Sequence, residues 1–152
     1  IVDKINFIGN ITDEQAKSLS TVEELSLNGL TSITDEQAEI LSKVETLFLN
    51  GLTSINEKQS EFFSRVNILY LNGLTSITDV QAESLSKVSD TLFLNGQTSI
   101  TDAQAESLSK VKSVRLVSLT SITEPQAKSL SKVEFLRVSK DLQPLIDKYK
   151  KQ

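Results

Sequence analysis

Residues Leu47–Ile55 read LFLNGLTSI, and residues Leu69–Ile77 read LYLNGLTSI. A second motif follows each such stretch. ITDEQA at Ile11–Ala16 returns as ITDEQA at Ile33, INEKQS at Ile55, ITDVQA at Ile77, ITDAQA at Ile100 and ITEPQA at Ile122. The steps are 22, 22, 22, 23 and 22 residues. The one extra residue falls in Val88–Leu92 (VSDTL), where the other units read like VETL. A period of this size marks stacked supersecondary units. About six units account for residues 1–139, and a non-repeating tail occupies 140–152. No Pro-, Gly- or Ser-rich linker interrupts them, so the 152 residues are expected to form one domain.

Each unit has two halves. The first is a Leu-x-Leu alternation: Leu25/Leu27, Leu47/Leu49, Leu69/Leu71, Leu92/Leu94, Val114/Leu116 and Leu136/Val138, with Ile5/Phe7 starting the series. Such alternation predicts a short strand, buried on one face. The second half predicts a short helix. Thr34 is placed to cap it and Gln37 to close a capping box, with Ile33 stapling onto Ala38. Thr12/Gln15, Asn56/Gln59, Thr78/Gln81, Thr101/Gln104 and Thr123/Gln126 repeat the box. Asp35 and Glu36 fall in the first turn and Lys43 is expected in the last, which suits the helix dipole. Ala38, Leu41 and Val44 mark the buried stripe. Pro125 lies in a first turn, where a missing N–H costs nothing.

One unit cannot bury its own apolar face, but stacked copies can. The expected fold is therefore α/β, a solenoid with one strand per turn in a parallel sheet. VEELSLNGLTSI (Val22–Ile33), VETLFLNGLTSI and VNILYLNGLTSI resemble the leucine-rich repeat pattern LxxLxLxxNxL. The resemblance covers nearly the whole chain. It implies a curved right-handed coil with the sheet on its concave face and short helices on its convex face. It breaks at one place. Where the family carries Asn, three residues after the second strand leucine, this chain has Leu30, Leu52, Leu74, Gln97 and Leu119. Asn28, Asn50, Asn72 and Asn95 come two residues earlier, each followed by Gly. That break counts against the family's buried asparagine ladder, and the capping-box glutamines are expected to supply some of its backbone hydrogen bonds. The Asn-Gly pairs themselves are read as turn formers that tolerate positive φ.

With the leucines inward, the residue between them faces out. That row reads Asn6, Ser26, Phe48, Tyr70, Phe93, Arg115, Arg137. A second row, two residues earlier, reads Lys4, Glu24, Thr46, Ile68, Thr91, Ser113, Phe135, and a third holds the four asparagines and Val117. Three of eight aromatics thus share one outward position on consecutive strands. Two readings of the row stand together: cross-strand stacking that stabilises the sheet, and a binding surface, since aromatics and arginine are enriched at hot spots. The Thr-Ser pairs from Thr31 to Thr120 lie in loops rather than in a flat strand array, which counts against an ice-binding face. Ile40 and Phe62 lie off the buried stripe and suggest a small convex apolar patch. Asn10-Ile11-Thr12 is a lone glycosylation sequon. In the tail, Leu142, Leu145, Ile146 and Tyr149 have amphipathic helical spacing, which predicts a cap over the end of the core.

Composition narrows the function. There is no Cys and no His, hence no thiol nucleophile, disulfide or usual metal ligand or base. No Gly-rich phosphate loop or nucleophile elbow is present. Most polar residues recur in capping or turn positions, the opposite of the singular cluster an active site needs. No enzyme activity, cofactor or metal is expected. Net charge is −4, which argues against nucleic acid, and it is unevenly spread: −10 over residues 1–107 and +6 over 108–152. No apolar run is long enough for membrane insertion. With no methionine in the sequence, Ile1 is expected to be the start of a trimmed piece, and the N-terminal edge is expected to lack a cap of its own. The compartment stays open, with a secreted or cell-surface bacterial protein preferred.

The first functional expectation is a non-catalytic protein- or peptide-binding module. Phe48, Tyr70, Phe93, Arg115 and Arg137, flanked by Ile68 and Phe135, would face a partner of acidic character. The resemblance also implies protein interaction. The alternatives are a structural repeat that self-associates through its N-terminal edge, or a carbohydrate-binding surface.

Overall fold

Strands and helices alternate along the chain in a computed structural model that describes residues 3–4 and 9–150. The strands are β1 (Asp3–Lys4), β2 (Glu24–Ser26), β3 (Thr46–Phe48), β4 (Ile68–Tyr70), β5 (Thr91–Phe93), β6 (Ser113–Leu116) and β7 (Phe135–Val138). The helices that follow them are α1 (Asp13–Leu19), α2 (Asp35–Leu41), α3 (Glu57–Phe63), α4 (Asp79–Leu85), α5 (Asp102–Leu108), α6 (Glu124–Leu130) and α7 (Gln143–Lys150). The strands form one parallel sheet in chain order, β1 to β7. Each helix packs against the next. The architecture is thus an α/β repeat solenoid.

The strand leucines and the helix Ala-x-x-Leu-x-x-Val stripe meet in one continuous core. Leu25, Leu47, Leu69, Leu92 and Val114 are fully buried, as are Ala38, Leu41, Ala82 and Leu85. Each such leucine or valine contributes roughly 1.5–3 kcal/mol of burial, and each alanine methyl about 0.8 kcal/mol. Ile40 and Phe62 lie half-buried against the edge of this core, and Lys58 and Arg65 flank the Phe62 ring at 6.0 and 5.2 Å. The tail helix α7 packs on α6 and buries Ile146, with Leu142, Leu145 and Tyr149 packed against the core, so the tail caps this end. Among the described residues no helix is long and apolar enough to cross a membrane.

All six short helices carry the complete capping box. The glutamines do more than cap. Gln37 Nε2 donates to the Ile11 carbonyl at 2.7 Å, and Gln59, Gln81, Gln104 and Gln126 do the same to Ile33, Ile55, Ile77 and Ile100 at 2.7–2.9 Å. Each ties its turn to the one before, as expected.

The structure extends one sequence expectation and corrects three. The first, the extension, concerns asparagine: the positions of the family's buried ladder hold leucine or glutamine, and another ladder forms two residues earlier. Asn28 Oδ1 accepts from Asn50 N, Asn50 from Asn72 N and Asn72 from Asn95 N, each at 2.9 Å, and Asn95 from Val117 N at 3.1 Å. A ladder therefore exists, on the outward side of the strand ends. The side chain is short enough to reach one turn along from there.

The second concerns glycine. Among the described residues only Gly9 has positive φ, at 107°. Gly51, Gly73 and Gly96 serve close approach instead: a Cβ on Gly73 would stand 2.3 Å from the Asn50 carbonyl oxygen and 2.5 Å from that of Leu52. Where Val117-Ser118 replaces Asn-Gly, the turn keeps its Leu119 N to Leu116 O bond at 3.3 Å, and Thr120 N adds a bond to Thr98 O at 3.1 Å.

The third concerns the first strand. Asp3 pairs with Leu25 and Lys4 with Ser26, so Lys4 belongs to the Ser26 row and not to the Glu24 row. Ile5, Asn6 and Phe7 imitate Leu-x-Leu two residues out of phase, whereas the 22-residue step from Lys4 to Ser26 is the one the pairing follows. Those three residues lie outside the described residues. The fourth concerns Lys43. Helix α2 ends at Leu41 with Ser42 as its cap, so Lys43 sits past the last turn.

The extra residue of the fifth unit is absorbed before β5. Asp90 N and Thr91 N both donate to the Asn67 carbonyl, and Ser89 Oγ donates to Asn67 Oδ1 at 2.8 Å. Thr91 then pairs with Ile68, and the outward rows stay aligned across the insertion.

Candidate functional site

The outward row is continuous from β2 to β7. Ser26, Phe48, Tyr70, Phe93, Arg115 and Arg137 are direct register partners on successive strands. The Phe48 and Tyr70 rings stack with centroids 4.0 Å apart and planes 16° apart. Tyr70 and Phe93 stack at 3.8 Å and 10°. The parallel pairing produces this geometry, because strands about 4.8 Å apart hold like side chains at the same height. Arg115 extends the stack, its Cζ 5.9 Å from the Phe93 ring, within cation–π range.

All three rings and Arg115 are half-buried, and Arg137 is exposed. Ile68 lies half-buried in the neighbouring row, paired with Thr46 and Thr91. Phe135, opposite Ser113, is 53% exposed on β7, unusually open for so large an apolar side chain. The stripe and its predicted flanks thus share one face. Burial, and secondarily the Glu24 charge, hold the Tyr70 hydroxyl above its ordinary pKa, and Arg115 opposes them.

Beyond Phe93 the face opens into a groove of about 530 Å³. Arg115, Arg137 and Phe135 line it, together with Lys112, Glu134 and Lys150. The last three were absent from the sequence reading. Lys150 reaches the groove from the tail helix, a placement that depends on how α7 docks. The signal in the sequence was the switch to a charge of +6 after residue 107. Lys112 is paired with Asp90 at 3.8 Å. Among the described residues, Arg115, Arg137 and Lys150 form no salt bridge. The same residues contain no cluster of three or more Asp, Glu, His or Cys arranged to hold a metal.

No protein-family model matches this chain, and a search of curated proteins finds no match to it.

Proposed function

We propose that the chain is a binding module of leucine-rich-repeat type that captures a protein or peptide on its sheet face and performs no chemistry. On this reading the coil is right-handed and the sheet face is concave, as the resemblance implies. One observation carries the proposal: the three-ring stack runs unbroken into two arginines, and the whole row stays accessible at the surface. Ring stacking within a sheet accounts for part of the arrangement, at roughly 0.2–1 kcal/mol per cross-strand pair. Ser26 holds the same row position on β2, so the fold itself does not require a ring there. Stacked rings topped by arginine offer a partner large rigid apolar area beside charge. The non-catalytic reading rests on the polar residues, which recur as caps and ladders rather than as a singular cluster.

The test compares the wild-type chain with Phe48→Ser/Tyr70→Ser/Phe93→Ser in a pull-down from the native source. The variant should keep its circular dichroism spectrum and lose the captured partner. Capture that survives the triple change would place the binding surface elsewhere.

A further inference from the structure

We infer that the ligand is an extended acidic peptide. An aromatic or branched apolar side chain sits on the Tyr70–Phe93 rings, and a carboxylate two to four residues away enters the groove between Arg115 and Arg137. The inference rests on the sheet-face binding reading and adds to it the chemistry and spacing of the ligand.

Charge comes first. Among the described residues the groove holds three cations outside any salt bridge, Arg115, Arg137 and Lys150, against Glu134. Lys112 is paired with Asp90 at 3.8 Å. Guanidinium groups bind carboxylates through paired hydrogen bonds, and two arginines side by side on neighbouring strands present two such forks. The positive region is short. Residues 1–107 carry −10, so a long polyanion lying along the whole face would be repelled over most of its length. A short acidic segment next to an apolar one fits the field.

Spacing follows from the register. Phe93 and Arg115 lie on adjacent strands, and Tyr70 and Arg137 lie three strand intervals apart. At about 4.8 Å per strand these separations are roughly 5 and 14 Å, and an extended peptide advances about 3.3 Å per residue. A peptide crossing the strands therefore covers them in about two to four residues. Phe135, exposed at the far side of the groove, gives its end a second apolar contact.

A random displayed peptide library is panned against the wild-type chain, Arg115→Ala/Arg137→Ala and the triple-serine variant. Wild type should enrich peptides with an aromatic or branched apolar residue and Asp or Glu two to four positions away. Synthetic copies should bind the double-alanine variant at least about tenfold more weakly. Changing their Asp and Glu to Asn and Gln should cost the same factor on wild type, a check that needs no protein variant. Ring-containing peptides without an acidic preference, still dependent on the three aromatics, would overturn this inference while leaving the sheet-face reading standing. Peptides that bind the triple-serine variant as well as wild type, or no enrichment at all, would overturn both.

Discussion

Gln97→Leu is expected to stabilise the chain. Gln97 occupies the turn position that Leu30, Leu52, Leu74 and Leu119 fill in the other units, and it is fully buried. Its Nε2 donates to the Leu74 carbonyl at 2.7 Å, but its Oε1 is buried with no hydrogen-bond partner among the described residues. A buried acceptor left unpaired costs about 1–3 kcal/mol. The substitution removes that penalty and adds the transfer free energy of a buried leucine, about 1.5–3 kcal/mol. It forfeits one hydrogen bond, worth about 1 kcal/mol. The Leu74 carbonyl then resembles those of Leu30 and Leu52, to which no described side chain donates. Allowing for imperfect packing of the branched side chain, the net gain is about 2 kcal/mol. For a chain of this size that raises Tm by about 4–8 °C. Differential scanning calorimetry and urea unfolding followed by circular dichroism measure it. An unchanged or lower Tm would refute the reasoning, because it would mean that Oε1 is satisfied where it sits.

Three further expectations test the ladders and the stripe. Gln81→Ala removes the capping acceptor for Thr78 N and the donor to the half-buried Ile55 carbonyl, and should cost about 2–3 kcal/mol in urea unfolding. Gln15→Ala, whose side chain among the described residues reaches only Thr12 N in the same box, should cost about 1 kcal/mol, and equal losses at the two sites would show that the inter-turn bond contributes nothing. Gly73→Ala drives a methyl into the Asn50 and Leu52 carbonyls and should cost about 3 kcal/mol or more; a loss below 1 kcal/mol, the ordinary scale of a glycine change, would contradict the close-approach reading. Tyr70 should titrate above its ordinary value near 10, with Glu24→Gln lowering its pKa and Arg115→Ala raising it. The folded pKa is the higher one, so the stabilisation from the neutral phenol is present below about pH 10 and is lost as pH rises through the folded value. Tyrosinate absorbance in a Tyr149→Phe background reads the shift directly.

The helices were legible because their start signal is local. A Thr or Asn cap and a Gln three residues on satisfy orphan N–H groups within one turn, whatever lies around them. The stripe was legible for a similar reason. Alternation sets which side chains face out, and a repeat of constant length brings equal positions into line. The N-terminal register was misread because Ile5 and Phe7 copy the Leu-x-Leu pattern, while the pairing follows the 22-residue count instead. The glycines were assigned the wrong cause. A backbone dihedral is one reason for glycine, and a neighbouring carbonyl 2.3 Å from a would-be Cβ is another that no single unit contains.

The sequence by itself determined that copies stack, which side chains go inside and where each helix begins. These follow from periodicity, from burial that one unit cannot achieve alone, and from capping within a single turn. Only the tertiary structure decided which polar atoms of one turn meet the backbone of the next. The asparagine ladder, the particular carbonyls that the glutamines reach, the unpaired oxygen of Gln97 and the meeting of Lys150 with two arginines all depend on distances between turns. Such distances are set by how the core packs, and no pattern within a unit of 22 residues encodes them.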